Sequence, residues 1–375
     1  MNTVTAQPDE YFMALALREA ERGLYTTQPN PRVGCVLVRE GQIIATGFHL
    51  QAGSGHAEAN ALAAAGAGAA GSTAYVTLEP CSFTGRTPSC AESLIAAGIQ
   101  RVVYAMTDPH PRNRGRGLEK LRAAGIRVEG PVLEASARQL NPGHIKRFEQ
   151  GLPWVRMKLA MTLDGKIALA NGASQWITGP DARADVQKLR ARSSAVITGV
   201  GTVTDDDPSL TVRSDSLQAE YASLAEEIPR RIVVMDRSLR TPPGARLLQN
   251  PQHLIVCDQA LAESAPAGWQ IAGIGCNAED QPDLGELLRL LAAEECNEVL
   301  FECGPTLAGS VIRSGYLDEL VVYMAPKLMG NHAQSLLNMP AIDNMRDLIE
   351  LDWTDVRQVG RDIRLTARVS TGQNH

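Results

Sequence analysis

The stretch "AYVTLEPCSFTGRTPSCAESLIAAGI", residues 74–99, places two cysteines between a predicted strand and a predicted helix. The residues before Pro80 have the composition of a buried strand, and those after Ser89 follow a helical pattern. Cys81 directly follows Pro80, and Cys90 comes nine positions later. Cys81 and Cys90 have three possible interpretations at this point: two ligands of one metal ion, a redox-active pair, or two buried thiols that are neighbours by chance.

A second motif, "GHAEAN" at residues 55–60, supplies the other groups that a catalytic zinc site needs. Such a site takes three protein ligands and leaves one position open for water. His56, Cys81 and Cys90 are of the right types, and a helix that begins at Cys90 favours the thiolate over the thiol. Glu58 is too close to His56 in sequence to be a convenient fourth ligand. We therefore predict that Glu58 is the catalytic residue that carries a proton between water and a substrate nitrogen.

The order of these residues is similar to the signature of zinc-dependent nucleobase deaminases, His-x-Glu followed by Pro-Cys and a later Cys. That signature has two residues between its cysteines, whereas eight residues separate Cys81 from Cys90. A longer loop can still return the second thiolate to the metal, because the entropy of loop closure grows slowly with length. Within the loop Arg86 is suited to contact an anion, which indicates a small phosphorylated substrate. A structural zinc is the main alternative, and it would leave Glu58 without a role.

Length and composition indicate a two-domain globular protein. The chain has 375 residues, of which 44% are hydrophobic, and single cores seldom grow past about 250–300 residues. The net charge of −6 argues against a general nucleic-acid-binding protein. No apolar run is long enough for a membrane span, and the N-terminus lacks the pattern of a secretory signal. The seven cysteines are therefore expected to be reduced, in a cytoplasmic protein.

Strand and helix patterns alternate along the chain, which is typical of α/β proteins. For the first half we predict an α/β sandwich with a partly parallel sheet. The alternation breaks at residues 141–154, "NPGHIKRFEQGLPW", where proline and glycine lie near both ends. We therefore predict one domain over residues 1–150 and a second α/β domain over residues 151–375. Residues 214–229 have a polar helical pattern and are predicted to be a surface insertion.

Two glycine-containing motifs are candidates for a dinucleotide-binding site. "GAGAAG", residues 66–71, matches G-x-G-x-x-G, but it follows a helix and precedes a strand, which is the reverse of the dinucleotide-binding context. We interpret it as a helix end and a linker. "VLFECGPTLAGSVI", residues 299–312, is the better candidate, because a predicted strand ends at Glu302 and a helix follows Gly304. Backbone amides at such a helix start can bind a pyrophosphate.

Other residues of the second half fit the same interpretation. Trp176 in "SQWITG" supplies an aromatic ring, and Arg190 and Arg213 are candidate phosphate ligands, since a guanidinium matches phosphate geometry. "TGVGTVTDDDP" carries two glycines after a predicted strand, which is weak evidence by itself.

Residues 9–150 resemble the deaminase domain of the bifunctional riboflavin-biosynthesis deaminase/reductase family. The resemblance rests on "NPRVGCVLV" (30–38), "HAEANAL" (56–62), the stretch 74–99 and "DPHPRNRGRGLEKLRAAGI" (108–126). It implies a cytidine-deaminase-like α/β/α sandwich with one Zn²⁺ per chain. It further implies deamination of 2,5-diamino-6-(5-phosphoribosylamino)pyrimidin-4(3H)-one.

The same resemblance implies roles for residues around the metal. Asn30 and His49 would line the pyrimidine pocket, and Arg86 would contact the phosphate. The chain also differs from the family pattern at two positions. The family often has histidine where this chain has Phe83, and it tends to have asparagine where this chain has His110.

Residues 154–370 resemble the reductase domain of that family, which has a dihydrofolate-reductase-like α/β fold. The motifs include "KLAMTLDGKIA" (158–168) and "FECGPTLAGS" (301–310). The resemblance implies NADPH-dependent reduction of the ribosyl group, which yields 5-amino-6-(5-phosphoribitylamino)uracil. It assigns these residues to the cofactor: Ala160, Trp176, Thr202, Asp206, Gly304, Pro305, Thr306, Leu307, Ala308, Gly309 and Ser310. It assigns these to the substrate: Ser174, Arg190, Leu210, Arg213 and Glu302.

Lys158 and Asp164 belong to the same motif, but we do not predict either as a proton donor. Lys158 is interpreted as an exposed strand lysine and Asp164 as a turn residue before Gly165. The family resemblance also implies a homo-oligomer, a dimer or a tetramer, built through the reductase domain.

Two other classes of function are alternatives. Closely spaced cysteines and a basic surface would indicate a nucleic-acid-editing deaminase with an accessory domain. The eight-residue gap between Cys81 and Cys90 and the acidic net charge argue against that class. In a non-enzymatic scaffold the zinc would be structural. The predicted partner is instead a small phosphorylated pyrimidine, with no nucleic acid and no membrane.

Overall fold

A computed structural model of the chain describes residues 7–83, 89–277 and 281–370. The chain divides into two compact units, Met1–Gly151 and Leu152–His375. The first unit ends one residue after the end of the predicted first domain. Among the described residues, no helix has the length and apolar character that crossing a membrane requires.

The first unit alternates helices and strands from its beginning to its end. Its helices are α1 (Asp9–Glu21), α2 (Ala57–Ala65), α3 (Cys90–Ala96), α4 (Arg116–Ala123), α5 (Glu134–Leu140) and α6 (Pro142–Gln150). Its strands are β1 (Gly34–Arg39), β2 (Gln42–Phe48), β3 (Thr73–Val76), β4 (Arg101–Tyr104) and β5 (Arg127–Glu129).

The strands of the first unit form one sheet in the order β2-β1-β3-β4-β5. β1 runs antiparallel to β2 and β3, while β3, β4 and β5 are parallel. Since alternate residues of a strand face opposite sides, Val36 packs with Met13 of α1, and Leu37 packs with Leu94 of α3 on the other side. Helices therefore cover both faces, and the predicted α/β/α sandwich is confirmed.

The second unit is built on a larger sheet. Its helices are α7 (Pro180–Arg192), α8 (Val200–Asp206), α9 (Ala222–Glu227), α10 (Leu284–Ala293) and α11 (Pro305–Arg313). Its strands are β6 (Trp154–Thr162), β7 (Lys166–Ala168), β8 (Ala195–Gly199), β9 (Arg231–Met235), β10 (His253–Asp258), β11 (Ile271–Ile274), β12 (Glu298–Glu302), β13 (Glu319–Ala325), β14 (Gln334–Ser335), β15 (Leu351–Val359) and β16 (Asp362–Val369).

Nine strands of the second unit form a sheet in the order β11-β10-β9-β8-β12-β6-β13-β16-β15, and β14 pairs with β7. The strands from β11 to β13 are parallel, whereas β16 and β15 are antiparallel. Phe301 of β12 packs with Leu287 of α10, while its neighbour Leu300 packs with Leu189 of α7. The predicted second α/β domain is confirmed. In such sheets ligands bind at the carboxyl ends of the parallel strands, and Glu302 ends β12 there.

Two predictions about local structure need correction. Residues 214–229 contain a 3-10 turn at Ser214–Ser216 and the short helix α9, and they are not wholly a surface insertion. Leu217 and Ala225 are completely buried, because their apolar side chains pack beneath the segment. The two glycines of "TGVGTVTDDDP" were predicted to follow a strand, but Gly199 is itself the last residue of β8 and α8 begins at the next residue.

Candidate functional site

The three predicted zinc ligands meet at the ends of two helices of the first unit. His56 immediately precedes α2, Cys90 is the first residue of α3, and Cys81 lies in the loop after β3. Their ligand atoms all lie within 4.8 Å of one another. Nδ1 of His56 is 3.2 Å from Sγ of Cys90 and 3.8 Å from Sγ of Cys81. Tetrahedral zinc bonds of ordinary length would place such atoms about 3.5 Å apart, so these side chains fit the ion.

Local hydrogen bonds prepare the two cysteines for a cation. A capping box between Ser89 and Glu92 fixes the start of α3, and the Cys90 amide there donates to Sγ of Cys81 at 3.1 Å. The hydrogen bond from the Cys90 thiol lowers the pKa of Cys81 to about 5, against the opposing effect of burial and with further help from His56. Cys81 is therefore a thiolate at neutral pH, which is the form that binds zinc.

Glu58 lies in the first turn of α2, two residues after His56, and is buried. Burial raises the pKa of its carboxyl, and the negative charge of Cys81 raises it further. A carboxylate with a raised pKa is a stronger base than an ordinary one, which favours its accepting a proton from water. The geometry therefore suits Glu58 to a proton-transfer role beside a metal.

Asn30 and His49 lie next to the same centre and contact each other. The side-chain amide of Asn30 donates to Nε2 of His49 at 3.0 Å, and Nδ1 of His49 donates to the carbonyl of Gly55 at 3.1 Å. Burial lowers the pKa of His49, so the ring is neutral. Its centroid is 5.3 Å from that of His56, edge to face. Arg86, the predicted phosphate contact, lies outside the described residues.

Two buried residues that support the site were not predicted. Glu79 accepts hydrogen bonds from the backbone amides of Asp108, Gly115 and Gly117 at 3.1, 2.8 and 2.9 Å. Oδ1 of Asn113 accepts the amide of Ser82 at 2.8 Å, directly after the ligand Cys81. Residues 108–117 are thereby fixed against the metal loop. The sequence does show an acid, Glu79, immediately before Pro80-Cys81. Its role could not be predicted, because the amides that it binds lie about thirty positions further along the chain.

The second unit contains a cavity of about 590 Å³ at the carboxyl ends of β8 and β12. Thr202 of α8 lines it, together with Gly304, Pro305, Thr306, Leu307 and Ser310 at the start of α11. Three arginines, Arg237, Arg240 and Arg313, also line it, together with two acids, Asp205 and Asp283. Free amides at the start of α11, with arginines nearby, are suited to bind the phosphates of a dinucleotide.

Other residues that the resemblance assigns to the cofactor lie elsewhere. Ala308 packs in the core, and a Cβ on Gly309 would lie 2.2 Å from the carbonyl oxygen of Asn338, because both face away from the cavity on α11. Ala160 packs beside Val321 and Tyr323.

The segment that carries Trp176 is joined to the end of α8. Trp176 is 64% exposed, with the guanidinium of Arg183 at 4.6 Å from its ring centroid. Asp206 accepts a hydrogen bond from the side chain of Gln175 at 3.0 Å. Ser174 is half-buried in the turn just before Gln175. These residues form a group separate from the cavity lining.

The predicted substrate residues of the second unit converge around Arg190. Its guanidinium binds the carboxylate of Glu302 and donates to the carbonyl of Thr211 at 3.1 Å. Leu210 is buried and has a positive φ of 55°, so the chain turns sharply there toward Arg190. The amide of Arg213 donates to Gln187, and its side chain is exposed.

The structure contradicts the interpretation of Lys158 and agrees with that of Asp164. Lys158 is half-buried, so its interpretation as an exposed lysine is wrong: it pairs with Glu302 across β6 and β12, and burial lowers its pKa. Asp164 is a turn residue as predicted. Its carboxylate accepts the amides of Met329 and Gly330 at 3.0 and 2.8 Å, which ties two loops together.

Two family models match different parts of the chain. Residues 6–106 match the family model of the cytidine and deoxycytidylate deaminase zinc-binding region. Residues 153–365 match the model of the RibD C-terminal domain.

Full-length relatives also match. The riboflavin biosynthesis protein RibD of Escherichia coli is 45% identical over 362 residues, covering 95% of this chain and 98% of its own length. The solved structure of Acinetobacter baumannii RibD superposes with a TM-score of 0.87 at 41% identity, covering 96% of this chain and 99% of its own. A Thermotoga maritima structure, described as a diaminohydroxyphosphoribosylaminopyrimidine deaminase/5-amino-6-(5-phosphoribosylamino)uracil reductase, has a TM-score of 0.83 at 31% identity, with coverages of 96% and 99%.

Proposed function

This chain belongs to the family of the riboflavin biosynthesis protein RibD, and from that premise we propose which of its residues carry each of two reactions. The protein is a zinc-dependent deaminase and an NADPH-dependent reductase of riboflavin biosynthesis. We assign the deaminase to residues 1–150 and the reductase to residues 151–375.

The deaminase acts on 2,5-diamino-6-(5-phosphoribosylamino)pyrimidin-4(3H)-one. His56, Cys81 and Cys90 hold the zinc, which when bound supplies a Lewis acid that activates water. Glu58 takes a proton from the attacking water and delivers it to the departing nitrogen, which its raised pKa favours. The convergence of these three ligands beside one buried carboxyl is the observation that carries this assignment.

Neighbouring residues orient the pyrimidine. Asn30 and the neutral His49 present a fixed pair of polar groups beside His56, which suits recognition of a heterocycle edge. Arg86 contributes a cation for the phosphate in our proposal.

The reductase uses NADPH, which supplies the reducing equivalents for conversion of the ribosyl to a ribityl group. Thr202, the Gly304–Leu307 turn and Ser310 hold the cofactor in the cavity of the second unit. Ala308 and Gly309 lie on the side of α11 that faces away from the cavity, where they allow the helix to pack closely against the rest of the unit. We place Ala160, Trp176 and Asp206 on the cofactor side as well, by family resemblance. Ser174, Arg190, Leu210, Arg213 and Glu302 form the substrate side, where the Arg190–Glu302 pair supplies a fixed carboxylate.

We further propose that the enzyme works in the cytoplasm as a homo-oligomer, a dimer or tetramer built through the reductase domain, without nucleic acid as a partner. The net charge of −6 disfavours a polynucleotide. The edge strand β15 exposes Trp353 and Val356, at 59% and 60%, which is suited to contact with a second copy. Light scattering of the purified full-length chain measures the oligomeric state directly.

The deciding experiment compares Glu58→Gln with Cys81→Ser in the full-length protein. Glu58→Gln is expected to keep one zinc per chain and to lose deamination of the diaminopyrimidine phosphate, whereas Cys81→Ser is expected to lose both. Both variants should still oxidise NADPH when given the deaminated intermediate. Retained deamination by Glu58→Gln would overturn the assignment of the proton carrier, and no NADPH oxidation by the wild type would overturn the reductase assignment.

A further inference from the structure

Phe83, in the loop of the metal ligands, and His110, on the neighbouring loop, lie near each other in the structure. The ring centroids of Phe83 and His110 are 6.3 Å apart. The guanidinium carbon of Arg112 lies over the Phe83 ring, 4.7 Å from its centroid. Phe83, His110 and Arg112 together are called the rim cluster here. A cation stacked on an aromatic ring keeps its charge and most of its hydrogen-bond donors available.

The rim cluster is held close to the zinc ligands. Phe83 lies two residues beyond Cys81, so their Cα atoms are at most about 7 Å apart. The loop that carries His110 and Arg112 is fixed to the same segment through Asn113 and Glu79. Both Asn113 and Glu79 are buried, at 0% and 3% exposure. The position of Arg112 relative to the metal site is therefore set by the fold.

His110 adds a directed donor to this cluster. The backbone amide of Arg112 donates to Nδ1 of His110 at 3.1 Å, which places the proton of the neutral ring on Nε2. Within residues 7–83, 89–277 and 281–370, this Nε2–H has no hydrogen-bond partner. Its ring also stacks on Phe148, with centroids 4.3 Å apart, so its orientation is fixed.

The charge of Arg112 is not neutralised by a carboxylate of the described chain. The nearest acid in sequence, Asp108, is engaged with the ring of His144 at 3.2 Å and with the side-chain amide of Asn113 at 3.2 Å. Arg112 itself is exposed. An exposed guanidinium that stacks on Phe83 and an imidazole N–H two residues before it, against the same ring, supply donors of the kind that bind a dianion.

We propose that Arg112 and Nε2 of His110 bind the phosphate group of the deaminase substrate. This inference rests on the proposed function, and it assigns the ligand as a phosphomonoester. Phe83 has no hydrogen-bond donor, so it cannot hold the phosphate itself. Its ring instead orients Arg112 by stacking, so the anion contact lies on the loop that faces Phe83.

The test uses the full-length, zinc-loaded enzyme with Arg112→Gln. Loss of a charge-assisted contact should raise KM for the phosphorylated diaminopyrimidine about 10- to 100-fold, with kcat largely kept. On the same pyrimidine without its phosphate, wild type and variant should have the same kcat/KM. Arg122→Gln, on the exposed side of α4, is the matched control and should leave both substrates unaffected.

A second variant guards against a folding defect. His110→Phe keeps a ring between Phe83 and Phe148 but lacks the donor, and it should raise KM for the phosphorylated substrate about tenfold. Zinc content and thermal midpoint should match the wild type in both variants. An unchanged KM in Arg112→Gln, or an equal loss on the phosphate-free substrate, would overturn the inference alone. Absence of wild-type deamination would overturn the proposed function and this inference with it.

Discussion

Arg190 and Glu302 are joined by two parallel hydrogen bonds, Nε to Oε1 at 2.6 Å and Nη2 to Oε2 at 3.0 Å. Helix α7 supplies the arginine, and the last residue of β12 supplies the acid. Their side chains are 14% and 11% exposed. A planar guanidinium bound in this way fixes the plane of the carboxylate as well as its position. The pair therefore holds Glu302 in one orientation beside Lys158, where the predicted substrate residues converge.

Removal of one partner of this pair is expected to destabilise the second unit strongly. Arg190→Ala removes the hydrogen-bonding partner of the buried Glu302 carboxylate and leaves only the more distant charge of Lys158 to offset it. Removing one partner of a buried ion pair typically costs about 3–5 kcal/mol. All four tryptophans of the chain lie in the second unit, so urea unfolding followed by tryptophan fluorescence reports on it. Lys188→Ala, which removes a half-exposed ion pair on the same helix, should cost less than about 1 kcal/mol. Equal losses in the two variants would contradict the structural role of the pair.

The same pair predicts the pH dependence of the reductase. Burial by itself would raise the pKa of Glu302, but the charge and hydrogen bonds of Arg190, with the charge of Lys158, hold it below the usual 4.5. A depressed carboxyl pKa contributes stability that is present above about pH 4.5 and is lost as the pH falls through the folded-state value. Glu302 therefore stays ionised at pH 6–9.

Reductase kcat/KM should accordingly show no acid limb from Glu302 between pH 6 and 9. The measurement is a steady-state profile of NADPH oxidation with the deaminated intermediate. Glu302→Gln should lower kcat/KM by the same factor at every pH in that range. A wild-type acid limb that this substitution abolishes would show that Glu302 titrates near neutrality and would refute the prediction.

The sequence was sufficient for groups whose chemistry depends on their type and order. His56, Cys81 and Cys90 were identifiable because zinc ligands are restricted to few residue types, and the structure brings them together. Glu79 could not be identified, because its partners are backbone amides, which every residue carries, on a loop that becomes adjacent only on folding. Lys158 was misjudged for a related reason: an alternating strand pattern cannot show which positions of a central parallel strand are covered by neighbouring elements.

Gly117 gives a test of how closely the loop after β3 is packed. A Cβ at this position would lie 1.9 Å from the carbonyl oxygen of Pro80, the residue before the ligand Cys81. Gly117→Ala must displace α4 or this ligand loop, and overpacking of this kind costs about 1–3 kcal/mol. We expect reduced zinc content by metal analysis and reduced deamination, with NADPH oxidation retained.

The matched control for this substitution is Gly68→Ala. Gly68 lies in the 3-10 turn Gly66–Ala69, and among the described residues other than its chain neighbours no atom lies within 4 Å of where its Cβ would be. This variant should keep full zinc content and both activities. If Gly68→Ala loses zinc as Gly117→Ala does, crowding at Pro80 is not the cause.

Glu79→Gln tests whether one buried carboxylate holds residues 108–117 against the metal loop. Its two oxygens accept three backbone amides, from Asp108, Gly115 and Gly117. A glutamine replaces one acceptor oxygen by a donor NH₂, so at least one of these amides loses its partner, at a cost of about 1–3 kcal/mol.

The amides of residues 108–117 should exchange hydrogen faster in the variant, as measured by mass spectrometry. Deamination should fall while NADPH oxidation is kept, because the three amides that Glu79 binds all belong to the first unit. Glu119→Gln, an exposed acid on α4, is the control and should leave exchange unchanged. Unchanged protection of residues 108–117 in Glu79→Gln would mean that other contacts, such as the bond from Ser82 to Asn113, are sufficient to hold the loop.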